Sequence, residues 1–255
     1  MTEAARPQGF RAELKDFLRF IARPRFGPRL PGRLAMHGWV EDWFPSVRLA
    51  SLLRWAFVLW IVNLFFLGPV SLAAASAGGA QSRLNLWNLP WAAALFWAPV
   101  VEELVFRYGL RHIAQALWLV PAALVAMLMG LRWYSVLLLV VVLVACWVPA
   151  VMGLRFAQRP LPWRWRRRYQ RVFPWVFHAS CLLFAGAHLA NFSYDSTPVW
   201  VMPLLVLPQW LTGMVLGWQR MRRGVGASML LHGIFNAGPI GMVWLVLHLV
   251  PHMAT

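Results

Sequence analysis

Apolar runs of the length that crosses a bilayer as a helix, about 17–25 residues, recur along most of the chain, near 52–75, 89–107, 114–131, 134–154, 173–192, 199–219 and 227–250. No segment alternates polar and apolar positions with the period of a barrel strand. Every backbone amide in hydrocarbon must be satisfied internally, so each run is expected to be helical. The pattern predicts an all-α fold, a polytopic transmembrane helical bundle of about seven spans. Ahead of the first run, Phe10, Leu14, Phe17, Leu18 and Ile21 share one helical face, Arg11, Lys15, Asp16 and Arg19 lie elsewhere, and Arg23-Pro24 ends the pattern. This predicts an amphipathic helix lying on the inner leaflet, with a disordered basic tail as the alternative. The chain divides into a basic cytoplasmic segment, 1–48, and a transmembrane domain, 49–255.

Composition agrees with a membrane solvent: 60% of residues are hydrophobic and 13% charged, against about 45–50% apolar content in soluble domains. The net charge of +16 is carried mostly by arginine, in the N-terminal segment and in two clusters at 155–171 and 220–223. The positive-inside rule places these in the cytoplasm. Seven spans then put the N-terminus inside and Thr255 outside, with the 193–198 link and its Asp195 outside as well. The expected location is the plasma membrane, with the lipid bilayer as a partner. A basic stretch interleaved with tryptophan also fits nucleic-acid binding, but topogenic and anionic-lipid roles explain it more simply, and no nucleic-acid partner is expected. The first fifty residues lack the short apolar core and cleavage site of a signal peptide. Cys146 and Cys181 both fall in apolar runs, which gives no support to a disulfide framework or a thiolate zinc site.

Chemistry enters through the few polar residues inside the runs. Glu102 and Glu103 stand side by side in a chain with only eight acidic residues. An intramembrane carboxylate costs roughly 2.5–3.5 kcal/mol on insertion scales, which makes such residues functional-site candidates. Neighbouring helix positions point about 100° apart, so the two cannot address one point. Glu103 and Arg107 are four apart with the acid first, the favourable order for an ion pair. Glu103 is thereby assigned to charge compensation and Glu102 is left for chemistry, the plain alternative being that both join a packing network. Pro99 removes a backbone donor and invites a kink there. On the fifth run Phe184 and His188 share a face, with small residues between them. On the last run His232 and Asn236 do the same. Either pair alone is an ordinary helix contact. Together, a carboxylate, an imidazole that orients water, and an imidazole with a carboxamide make the parts for attack of water on a carbonyl.

These motifs, Glu-Glu-x-x-x-Arg, Phe-x-x-x-His and His-x-x-x-Asn in that order on separate runs, resemble those of the CPBP family. That family comprises CAAX proteases and bacteriocin-processing or bacteriocin-immunity membrane proteins, formerly called the abortive-infection family. The resemblance covers roughly 90–239 and implies an intramembrane endopeptidase, usually described as a metalloprotease, acting on a membrane-anchored protein or peptide. It assigns Glu102 as general base on the attacking water with His188 beside it, Glu103 and Arg107 as support, and His232 and Asn236 to the oxyanion. The cofactor stays open between none and one divalent metal, a zinc on His188, His232 and Glu102. No His-Glu-x-x-His helix is present. A prenylated substrate follows only where the host makes one. Familiar members carry Arg-Gly where this chain has Arg107-Tyr108-Gly109, a departure that bears on the local helix exit.

Two other classes compete: a non-catalytic binding, immunity or scaffold protein of the same fold, and a channel or transporter, which the lack of internal repeats disfavours. Serine and aspartyl intramembrane proteases are disfavoured too, since neither Gly-x-Ser-x-Gly nor paired intramembrane aspartates occur. On upright helices rising about 1.5 Å per residue, His188 lies past the midplane and His232 near the cytoplasmic end. Their convergence requires tilt, early entry of the last helix, or a fifth helix that begins far outside the bilayer with Pro174 in its first turns. His112, His178, His248 and His252 have no motif partner and read as interfacial or packing residues.

Overall fold

A computed structural model describes residues 9–27, 40–45, 47–85, 89–151 and 162–249. The chain is built almost wholly of helices. They are α1 (Phe10–Ala22), α2 (Val40–Trp43), α3 (Leu49–Val62), α4 (Gly68–Gly78), α5 (Ala98–Phe106), α6 (Ile113–Met129), α7 (Trp133–Val151), α8 (Trp163–Ala187), α9 (Met202–Leu205), α10 (Leu207–Arg222) and α11 (Val225–Leu249). A short antiparallel ribbon was not foreseen: β1 (Ala80–Ser82) pairs with β2 (Phe192–Tyr194) in the register Ala80↔Tyr194. Gly79, at φ 71°, closes α4 in the left-handed conformation that glycine adopts without strain and turns the chain into β1.

Prolines shape the apolar helices. A π-helical turn over Asn63–Leu67 joins α3 to α4, and another over Ala93–Trp97 leads into α5. Each ends just before a proline, Pro69 and Pro99. A proline has no N–H for the carbonyl four residues back, and its ring crowds that carbonyl. Widening the turn relieves the crowding while Gly68 and Ala98 donate to the carbonyls of Asn63 and Ala93. The expected break at Pro99 therefore takes the form of a π turn.

The expected seven spans are not confirmed. Among the described residues, three helices can cross a bilayer by length and composition, Leu49–Gly78, Trp163–Asn191 and Val225–Leu247, with a fourth if Val199–Leu205 and Leu207–Arg222, bent by 50°, count as one. Ile113–Met129 is apolar but shorter, and so is the part of α7 whose side chains are described, Trp133–Val148. Gly130, at φ 73°, separates them, and the 89–107 run is used up by a π turn and the nine-residue α5, which stops at Arg107. The protein is a helical integral membrane protein.

Two larger side-chain clusters form the core, beside a smaller one that includes Ala75, Ala185, Val201 and Leu205. One joins α1, α3, α8, α10 and α11 through Trp55, Phe173, Phe177, Phe184, Trp218 and Leu231. The other joins α5, α6 and α7 through Leu104, Tyr108, Leu119, Ala123 and Leu139. Glycines let α8 and α10 run close: a Cβ on Gly217 would strike the Phe177 ring, and one on Gly213 would sit 3.1 Å from Phe184. These contacts make the two helices antiparallel, so the exposed arginines that open α8 and the arginines that close α10 lie toward the same end.

Helix α1 ends where expected, but its apolar face is divided. Phe17 and Phe20 are buried, stacking edge-on against Trp55, Trp218 and Phe177, whereas Leu18 remains 53% exposed. The acids of this segment explain its docking. Arg222 pairs with Asp16 at 2.8 Å, Arg223 with Glu13 at 2.6 Å, and Arg220 with Asp42 at 2.7 Å. The 220–223 cluster is therefore neutralised by carboxylates from the N-terminal segment, and Arg220 is fully buried.

Candidate active site

The α5 carboxylates differ in environment. Glu103 is fully buried and both its oxygens are engaged: Oε1 accepts from Arg107 Nη1 and from His232 Nδ1 at 3.1 Å, and Oε2 accepts from Ser228 Oγ. Glu102 is turned by one helix position, its side chain 18% exposed, with Oε2 3.8 Å from His232 Nε2. That oxygen has no hydrogen-bond partner among the described residues. The His232 imidazole thus lies between the two carboxylates. Glu103 accepts at Nδ1, which therefore carries hydrogen, and Nε2 faces Glu102.

His188 stands at the end of α8. Its Nδ1 lies 2.8 Å from the Phe184 carbonyl, which can only accept, so Nδ1 is the protonated nitrogen and Nε2 is left with its lone pair. Phe184 gathers the three motifs. Its ring centre is 4.8 Å from that of His188 and 5.9 Å from that of His232, and the Arg107 guanidinium sits 4.0 Å above it. The two histidines do converge on Phe184, and α8 starts at Trp163, about ten residues before the apolar run, one of the arrangements that convergence was expected to need. Pro174 falls within that helix.

Asn236 is held through the π turn. Its Nδ2 donates to the Ala94 carbonyl at 2.8 Å, and a Cβ on Gly233 would lie 3.0 Å from the Leu95 carbonyl, which Pro99 leaves without a helical donor. All six sequence-derived residues, Glu102, Glu103, Arg107, His188, His232 and Asn236, are thus connected around Phe184 and the π turn. The expected neighbours change in one respect. Among the described residues the imidazole within ion-pair reach of Glu102 is His232, not His188, because α11 brings the His232 ring up with Nδ1 toward Glu103 and Nε2 toward Glu102. Nδ1 of His232 and of His188 act as donors, to Glu103 and to the Phe184 carbonyl, which leaves Nε2 of each with its lone pair, the form in which an imidazole can ligate a metal; no three His, Cys, Asp or Glu side chains are grouped to hold one among the described residues.

A family model for type II CAAX prenyl endopeptidases, Rce1-like, matches residues 84–238, more than half of the chain. The chain belongs to this family. No curated protein and no solved structure matches it. For an Rce1-like protein the matched region contains every motif residue, whereas α1, α2 and α3, which pack against it, lie ahead of it.

Several residues that complete the site were not anticipated. Ser228 lies one turn before His232 on the same face of an apolar helix, a signal as legible as the others. His112, read as a packing residue, contacts Asp42 Oδ2 at 3.2 Å. Arg220 Nε donates to the Arg107 carbonyl at 3.1 Å, and Arg111 Nη2 donates to the Met221 carbonyl at 2.7 Å. Each arginine thereby satisfies a carbonyl at the end of the other's helix. His178 packs on Phe177, as expected for a packing residue. Cys146 and Cys181 are free and buried. The side chain of His248, and all of His252, lie outside the described residues.

Proposed function

We propose that this Rce1-like protein is an intramembrane endopeptidase that hydrolyses a peptide bond of a membrane-anchored protein or peptide, with Glu102 as general base. The observation that carries this reading is the unequal state of two adjacent carboxylates: Glu103 is saturated, and Glu102 keeps an oxygen without a hydrogen-bond partner. The 3.8 Å separation between that oxygen and His232 Nε2 suits a bridging water better than a direct bond. In this reading Glu102 takes a proton from the water as its oxygen bonds to the scissile carbonyl carbon and the carbonyl electrons move onto oxygen. The open Nε2 of His188 accepts the water's other hydrogen and orients it. Asn236 offers its second Nδ2 hydrogen to the oxyanion, and Glu102 passes the proton it has taken to His232 Nε2, 3.8 Å away, which then adds another donor. The Glu103 carboxylate stabilises that imidazolium through Nδ1, and Arg107 balances Glu103. The intermediate collapses by expelling the amine, which receives this proton from His232.

The basic stretches are proposed to face the cytoplasm at the plasma membrane. The antiparallel packing of α8 and α10 supports a common side for 164–171 and 220–223, and the positive-inside rule supplies its identity. The test is to map peptide termini in membranes of cells expressing the wild-type protein or Glu102→Gln. Termini that disappear with Glu102→Gln are expected. Identical sets of termini, with both proteins folded and at equal abundance, would overturn the reading in favour of a binding or scaffold role.

A further inference from the structure

Pro239 lies inside α11 and cannot donate to the carbonyl of Phe235, four residues back. That carbonyl instead accepts from Trp60 Nε1, on α3, at 2.8 Å. The fit is close: a Cβ on Gly238 would lie 2.6 Å from Trp60 Cζ2 and Nε1, so the indole occupies a notch that only glycine leaves open. The Phe235 carbonyl belongs to the peptide unit that leads into Asn236. On its other side Asn236 is fixed by Ala94 of the π turn. Trp60 itself lies outside the region that the family model matches.

We infer that Trp60 is a positioning residue for Asn236, orienting the α11 backbone through the carbonyl that Pro239 frees. The inference rests on the proposed role of Asn236 as an oxyanion donor. The proline creates an orphan carbonyl at the turn that carries the carboxamide, and the indole N–H fills it from a neighbouring helix. Packing alone would not need the donor. The N–H bond makes the effect specific to one atom and separable from the volume of the ring.

The experiment uses the full-length protein with an internally quenched, prenylated peptide, and hydrogen exchange read over 233–240 in parallel. Trp60→Phe keeps a ring in the notch and removes the donor. It is expected to lower kcat about tenfold, the effect of roughly one hydrogen bond, with KM little changed and faster exchange confined to 233–240. Pro239→Ala supplies the missing backbone N–H to Phe235, so the double variant Trp60→Phe/Pro239→Ala is expected to exchange at the rate of Pro239→Ala alone. Exchange over 233–240 unchanged in Trp60→Phe, or equally accelerated in the double variant, would overturn the inference whatever the activity. So would a wild-type kcat in Trp60→Phe. If the wild-type protein cleaves nothing while the exchange results hold, the backbone clamp stands and it is the proteolytic reading that fails.

Discussion

Two buried networks meet at Arg107 and are made from the same side-chain types. In one, Glu103 joins Arg107 and His232; in the other, Asp42 joins Arg220 and His112. Both carboxylates and both guanidinium groups are fully buried. The difference lies at the edges. Arg220 reaches backbone carbonyls, of Arg107 at 3.1 Å and Tyr108 at 3.4 Å, and so closes the end of α5. The Glu103 network reaches, through His232, a second carboxylate with an uncommitted oxygen. A triad of acid, arginine and histidine is therefore not in itself a sign of catalysis. What separates the two is the adjacent group that still has a lone pair to use.

The sharpest way to break this comparison is Glu102→Gln. Glutamine keeps the shape and loses the base, so cleavage of a prenylated peptide should fall by about 10²–10⁴-fold, with an unchanged melting temperature. Full activity in this variant, together with a stable but inactive Glu103→Gln, would exchange the roles of the two carboxylates. Next, Glu103→Gln and Asp42→Asn each strand a buried arginine, and each should lose roughly 3–5 kcal/mol in denaturant unfolding. Per folded molecule, Glu103→Gln should be inactive, while Asp42→Asn should keep activity to within about tenfold; equal losses would remove the distinction between the networks. Ser228→Ala takes one donor from a buried carboxylate and should cost about 1.5–3 kcal/mol, again read by denaturant unfolding. The smallest effect is expected at Asp16→Asn, whose partly exposed pair with Arg222 should contribute less than about 1 kcal/mol and weaken further with salt.

The grouping of the candidate residues was legible at the local scale. Glu103 with Arg107 and His232 with Asn236 stood out because polar residues are scarce inside apolar helices and i,i+4 geometry is local. Partners that meet across the fold left no such trace: Asp42 and Arg220 are 178 positions apart, and Glu103 and His232 are 129 apart. That is why His112 had no motif partner and the 220–223 arginines read only as a cytoplasmic basic cluster. The count of about seven spans is not confirmed: a window of apolar residues measures composition, not helix continuity, and the π turn before Pro99 and the bend between α9 and α10 shorten or divide helices within single apolar runs.

The exchange of arginines between α5 and α10 has a mechanical consequence. Arg220 leaves α10 to hold the carbonyl of Arg107, and Arg111, just beyond α5, holds that of Met221. Sliding either helix along its axis would pull both guanidinium groups off their carbonyls at once. The two helices are therefore tied to each other at two points, and under the proposed function a polypeptide would reach Glu102 past elements outside this pair.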